Sequence, residues 1–327
     1  MERVTIPGIP FPVSRIGLGT WAIGGWMWGG TDEAESIRTL SRALELGVNL
    51  VDTAPVYGFG RSEEIVGKAL AGGARRDGVA IATKAGLAWR NGKVFRDSSP
   101  ARIRQELEDS LRRLRTTWID LYQVHWPDPA IPFEETAEEL AKLKQEGKIR
   151  AIGLSNFSPP QLERFAAHAP LATDQPPYNL FERTVERSVL PWCREHGVAV
   201  LAYGALCRGL LSGRMTEDTQ FLGDDLRRHD PKFRQPRFGQ YLAAARALRN
   251  YADEEFGRSL VELAVRWLLD QPGVSVALWG ARRPEQLDAI PKILGLWRLT
   301  PAQLARIDAI VDEHVRDAVG PEFMAPP

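Results

Sequence analysis

The stretch GLGTWAIGG, Gly17 to Gly25, follows the first apolar run of the chain and decides between two parallel-sheet architectures. An open doubly wound sheet that binds a dinucleotide places a G-x-G-x-x-G turn between its first strand and first helix. Here Gly17-Leu18-Gly19 begins such a turn, but Trp21-Ala22 stands where the third glycine is expected. The next helix-start residue, Asp32, comes late. The stretch therefore reads as a bend, and the open sheet loses its main support.

Outward from this bend, short β-branched runs alternate with longer amphipathic patterns, which is the signal of βαβ units and a parallel sheet. The runs are Arg15–Gly19, Val48–Asp52, Val79–Thr83, Ile119–Val124, Ile149–Leu154, Ala172–Asp174, Val198–Leu201 and Val274–Leu278. Between them, Glu33 to Leu46 puts Ile37, Leu40 and Leu44 on one helical face, and Pro100 to Arg115 does so with Ile103, Leu107, Leu111 and Leu114. Ser99-Pro100 reads as an N-cap with proline at the first helical position. Ser158 with Gln161 and Thr300 with Gln303 have capping-box spacing. Eight strands with intervening helices predict a TIM (β/α)8 barrel, and the absence of a linker-like stretch predicts one domain over residues 1–327. VTIPGIPFPVS near the N-terminus reads as a hairpin that plugs the barrel bottom. After the seventh strand a polar stretch, Met215 to Gln240, precedes two helical patterns that reach Asp270; a loop of this length is usually functional.

Composition narrows the function classes. Lys plus Arg and Asp plus Glu balance at 42 each, so neither a nucleic-acid surface nor a polybasic membrane segment is implied. The sequence contains no run of apolar residues of membrane-spanning length and no signal-peptide core near Met1. Cys193 and Cys207 form no disulfide framework, which suits the cytoplasm, and the five histidines show no metal-ligand spacing. Trp21, Trp26, Trp28, Trp89 and Trp126 stand near loop signals, where they either line a pocket or pack as ordinary aromatics.

Barrel enzymes carry their chemistry at the C-terminal ends of the strands. The second strand ends in Asp52 with Tyr57 in the following loop, the third at Thr83-Lys84 and the fourth at Val124-His125. Each has a plain alternative: a turn residue, a loop aromatic, a solvated charge, a core histidine. Together they could reduce a carbonyl. A tyrosine hydroxyl, with its ordinary pKa of about 10, could donate the proton, and an ammonium beside it would favour the phenolate. Lys84 could supply that charge, Asp52 could hold it, and His125 could orient the carbonyl oxygen.

These residues lie in motifs that resemble the aldo-keto reductase family: GVNLVDTAPVYGFGRSEEIVGKAL at 47–70, ATKAG at 82–86, DLYQVHW at 120–126 and IGLSNF at 152–157. TDQPPYN at 173–179, LAYGALCRGLLSG at 201–213 and ALWGARRPEQL at 277–287 continue the match in family order. The chain is most similar to the bacterial general-stress-protein type, which also resembles the potassium-channel β-subunits. The resemblance implies a barrel that binds NADP(H) in extended form and reduces small-molecule aldehydes or ketones, with Asp52, Tyr57, Lys84 and His125 as the catalytic tetrad. A regulatory, redox-sensing NADP(H) binder with slow turnover is the alternative. The resemblance further implies that Ser155, Asn156 and Gln175 bond the nicotinamide amide, that Tyr203 stacks on its ring, and that Gly19, Thr20 and Trp21 lie nearby. The segment with Gly204, Leu206, Arg208, Gly209 and Leu210 would wrap the pyrophosphate, Arg208 as an ionic contact. Gly280, Arg282, Arg283 and Gln286 would take the 2′-phosphate, helped by free N–H groups of a helix that starts at Pro284. Two departures stand out: Ala289-Ile290 replaces a Glu-Asn pair, and Gly204-Ala205 replaces Ser-Pro.

Overall fold

A computed structural model describes residues 1–71, 76–295 and 297–327. Eight parallel strands close into a barrel: β1 (Ile16–Gly19), β2 (Leu50–Asp52), β3 (Ala80–Ala85), β4 (Ile119–Val124), β5 (Ile149–Ser155), β6 (Leu171–Gln175), β7 (Ala199–Ala202) and β8 (Val274–Gly280). Each of the eight runs expected from the sequence overlaps one strand. The expected TIM barrel is thus the observed fold, with strand ends moved by one or two residues. Closure pairs β8 with β1, matching Ala277 with Ile16 and Gly280 with Gly19. A closed barrel leaves no edge strand to protect.

Local chemistry explains the outer layer. Helix α1 (Glu33–Glu45) starts at Asp32, whose carboxylate accepts from the Glu35 N–H. Helix α2 (Arg61–Leu70) follows the Tyr57 loop. Helix α3 (Pro100–Leu114) buries Ile103, Leu107 and Leu114 at helical spacing. Ser99 is its N-cap residue and Pro100 its first, as expected, but the Ser99 hydroxyl donates to Asp97 at 2.7 Å and makes no cap bond. The capping boxes at Ser158 with Gln161 and Thr300 with Gln303 both form.

The N-terminal hairpin pairs Arg3–Val4 with Val13–Ser14, as expected. Ile6, Ile9 and Val13 are buried with Leu50, Leu121 and Val276, so the hairpin plugs the barrel floor. At its turn Gly8 has φ of 88°, and a Cβ there would lie 2.8 Å from the Arg150 carbonyl. A second hairpin, Leu87–Arg90 with Lys93–Arg96, follows β3 and was not expected. Its turn, Asn91-Gly92, has positive φ at both residues, and Asn-Gly between strands is the strongest short hairpin signal.

The long connection after β7 lies across the top of the barrel. It contains short 3-10 turns, and then the expected helices Arg237–Phe256 and Leu260–Asp270. Asp224 accepts from the N–H groups of Met27 and Gly29, and the Leu226 N–H donates to the Met27 carbonyl. The polar stretch is therefore pinned to the Trp26–Gly30 loop that follows β1. The C-terminal segment also crosses the top of the barrel. The Arg96 guanidinium donates to the carbonyls of Pro326 and Pro127, while Lys232 donates to that of Gly320.

Candidate active site

Inward parity places the polar residues. Leu50, Ala82 and Leu121 belong to the apolar barrel core, and one pleat higher on the same faces stand Asp52, Lys84 and Gln123. Lys84 is fully buried, so its ammonium must be paired. Its Nζ donates to Asp52 Oδ2 at 2.7 Å and to the Thr53 carbonyl at 3.1 Å, and lies 3.4 Å from the Tyr57 hydroxyl. The rings of Tyr57 and His125 are 5.7 Å apart at a near-perpendicular angle, and Trp21 stacks on Tyr57 at 5.9 Å. The four expected catalytic side chains therefore converge at one place.

Three residues missed in the sequence, Gln123, Thr53 and Ser62, complete the support with Thr20 and Gln175. Asp52 Oδ1 accepts from Gln175 at 2.8 Å and from Gln123 at 3.3 Å. Thr20 donates from both its N–H and its hydroxyl to the Asp52 carbonyl. The Ser62 hydroxyl bonds Thr20, and Thr53 bonds Ser62. Gln123 carried a legible signal, a polar residue in an apolar strand with the parity of Leu121 and His125.

The electrostatics correct one expectation. Burial pushes the Tyr57 hydroxyl well above the usual phenol range, and the Asp52 carboxylate adds to the effect. Lys84 was expected to lower it, but burial and Asp52 set the net direction upward. Burial also lowers the Lys84 ammonium, opposed by Asp52. Burial, and then the Lys84 charge, hold His125 well below its ordinary value, so its imidazole is neutral near pH 7.

These groups open into a cleft of ≈ 1340 Å³ that runs from His125 past Tyr203 to Arg283. Gly19, Thr20, Trp21, Ser155, Asn156, Gln175, Tyr203, Gly204, Leu206, Gly209, Gly280, Arg282, Arg283 and Gln286, all expected at the cofactor, line it. Asn156 has φ of 66°, which aims its amide between neighbours: Nδ2 donates to the His125 carbonyl, and Oδ1 accepts from the Tyr203 hydroxyl at 2.9 Å.

Three expectations need correction. Arg208 borders the cleft, but its guanidinium is bound by buried Glu182 and Asp230, which leaves it no free charge for a pyrophosphate. The Leu210 side chain is 1% exposed and packs in the core outside the barrel. Of the tryptophans left open between lining a pocket and packing, Trp89 packs against Phe59 under Arg102, whereas Trp21, Trp26, Trp28 and Trp126 line the cleft. The helix at Pro284 is a four-residue 3-10 turn, and Gln286 Oε1 already accepts from the N–H groups of Arg282 and Arg283. The two N–H groups that precede the turn are therefore taken.

A dinucleotide phosphate fits the cleft's far end for another reason. The Arg282 guanidinium is lowered by burial and then by the charges of Arg283 and Arg227, opposed by Asp225, which pairs with Arg227. Arg282 is tied to the carbonyls of Trp28 and Gly30, while Arg283 is exposed and has no carboxylate partner among the described residues.

A parallel barrel with a buried Lys–Asp pair beside a tyrosine at the strand ends defines a cofactor-dependent oxidoreductase scaffold. The Aldo/keto reductase family profile matches residues 15–312, and the chain belongs to this family. It is 57% identical over 327 residues to an aldo-keto reductase of Bacillus subtilis, covering 100% of this chain and 98% of that protein. It is 35% identical over 302 residues to an NADH-specific methylglyoxal reductase of Escherichia coli, covering 88% and 91%. The solved structure of a glycerol dehydrogenase from Gluconobacter oxydans superposes with a TM-score of 0.90 at 55% identity, covering 99% of each chain.

Proposed function

We propose that residues 1–327 form one enzyme that reduces aldehydes or ketones reversibly with NADPH, in the cytoplasm. The observation that carries this reading is the convergence of the Tyr57 hydroxyl, the Lys84 ammonium and a neutral His125 at the cleft. When bound, the nicotinamide supplies the hydride. Tyr57 stays protonated at neutral pH and donates to the carbonyl oxygen. The phenolate left behind faces Lys84 at 3.4 Å. His125, uncharged, donates one N–H to the same oxygen and fixes its direction. Asp52, gripped by two amides, keeps Lys84 charged in spite of burial. The segment 320–327 and the loop pinned by Asp224 limit water at the site.

Preference for NADPH rests on the neighbouring guanidinium groups of Arg282 and Arg283, which favour an anion at the ribose 2′ position. The substrate end is walled by Trp26, Val56, Leu87, Val94 and Trp126, which suits an uncharged carbonyl with an apolar body. Retention of all four catalytic groups favours turnover over cofactor sensing alone. The test is NADPH and NADH oxidation across a carbonyl panel, with Tyr57→Phe as control. Tyr57→Phe should keep cofactor affinity and lose roughly 10²–10⁴-fold in reduction rate. A variant within a few-fold of wild type overturns the assignment.

A further inference from the structure

Asp52 is held from two sides. Its Oδ2 faces Lys84 at 2.7 Å, and its Oδ1 accepts from Gln175 at 2.8 Å and Gln123 at 3.3 Å. The two amides are themselves linked, Gln175 Nε2 donating to Gln123 Oε1 at 3.2 Å. Gln123 is fully buried on β4, where an unbonded amide would be costly. Room for it comes from Gly153 on β5: a Cβ there would stand 2.8 Å from Gln123 Cγ and 2.3 Å from Thr173 Oγ1. That glycine is not at positive φ, so space rather than backbone conformation requires it.

We infer that Gln123 is a positioning residue for the Asp52–Lys84 pair: it keeps Oδ2 on the ammonium and shares the carboxylate charge, so that the ammonium remains available to Tyr57. This rests on the reductase reading above. A nicotinamide carboxamide that engages Gln175 leaves Gln123 as the amide on Oδ1. Gln123 touches no reacting atom; it acts through Asp52. The other ionisable groups around the ammonium are Tyr57 and His125, from the loops after β2 and β4, and Glu63 of α2, which bonds Thr83 next to Lys84.

Two readouts test this. The first needs no turnover: the titration of Lys84 in the cofactor-free protein, followed by carbon NMR of labelled lysine and assigned by its loss in Lys84→Met. Gln123→Leu removes the donor at similar size, so Asp52 presents more negative charge to the ammonium. Lys84 should then titrate about one pH unit higher, and higher still in Gln123→Glu, which adds a second carboxylate. The second readout is kinetic. In Gln123→Leu, kcat should fall roughly ten- to a hundredfold, the scale of one charge-assisted hydrogen bond, with the NADPH dissociation constant unchanged. Gln123→Asn, which retains a shorter amide, should recover part of the rate. Melting temperatures accompany each variant, and Gln123→Met replaces Gln123→Leu should the latter not fold. A wild-type Lys84 titration and a wild-type kcat in the leucine variant overturn the inference. A wild-type protein that reduces no carbonyl defeats the reductase reading, and the Lys84 titration still decides the role of Gln123.

Discussion

Replacing Lys84 with methionine should do two things that can be measured apart. The ammonium stands 3.4 Å from the Tyr57 hydroxyl. Opposite unit charges at that separation attract by about 5 kcal/mol at an effective dielectric of about 20. The phenolate formed on proton transfer would lose attraction of that order, offset in part because Asp52 opposes it. Loss of even half corresponds to roughly a hundredfold in rate. The second effect falls on Asp52, which is 3% exposed and would be left without its counter-charge. Removing one partner of a buried pair costs about 3–5 kcal/mol of stability. The double variant Lys84→Met with Asp52→Asn separates the two. It removes both charges and leaves an Oδ1 acceptor for Gln123 and Gln175. Urea unfolding should show most of the lost stability regained, while kcat for carbonyl reduction stays at the level of the single variant or below. Near-wild-type activity in Lys84→Met would refute the catalytic role. A double variant no more stable than the single would refute the charge-pair account of the barrel top.

The remaining predictions concern charge at either end of the cleft. Arg283→Ala should weaken NADPH binding about tenfold, the lower end for a charge-assisted bond because the side chain is exposed, and leave NADH binding unchanged. Arg282→Ala should weaken both cofactors, because its guanidinium also ties down the Trp28 and Gly30 carbonyls. Dissociation constants from fluorescence quenching decide; an unchanged NADPH preference in the double variant would place the phosphate elsewhere. His125 is neutral in the fold, so reduction kcat should show no inflection near the ordinary histidine value of about 6.5. The sign for stability follows from the same shift. The folded pKa is depressed, so the unfolded chain binds the proton first, and His125→Asn should lessen the loss of stability as pH falls below about 6.5.

The barrel was legible because its strands and helices announce themselves by period, and because GLGTWAIGG lacks the spacing an open sheet needs. The tetrad was legible because strand ends point one way in a barrel, so Asp52, Lys84 and His125 share a mouth once their strands are placed. What sequence reasoning missed depends on contacts between distant segments. Arg208 reads as a free cation beside a glycine. Its true partners, Glu182 in the connection after β6 and Asp230 in the loop over the barrel, lie 26 and 22 residues away.

The same loop shows why a basic residue in a cofactor motif is weak evidence of cofactor contact. Buried Arg208 and Lys232 both bond Glu182, and Lys232 also reaches the Gly320 carbonyl. Two cations and two carboxylates, Glu182 and Asp230, thus tie the turn after β7, the long loop and the C-terminal segment into one polar knot. Such a knot adds little net stability over a well-packed apolar core, but losing one member strands a buried charge. Its geometric effect is larger than its energetic one. It fixes the two covers of the cleft to the segment that would wrap the cofactor. The positive charge that can meet a phosphate is therefore left to Arg282 and Arg283 at the far end, neither of which has a carboxylate salt-bridge partner among the described residues, whereas Arg227 is held by Asp225.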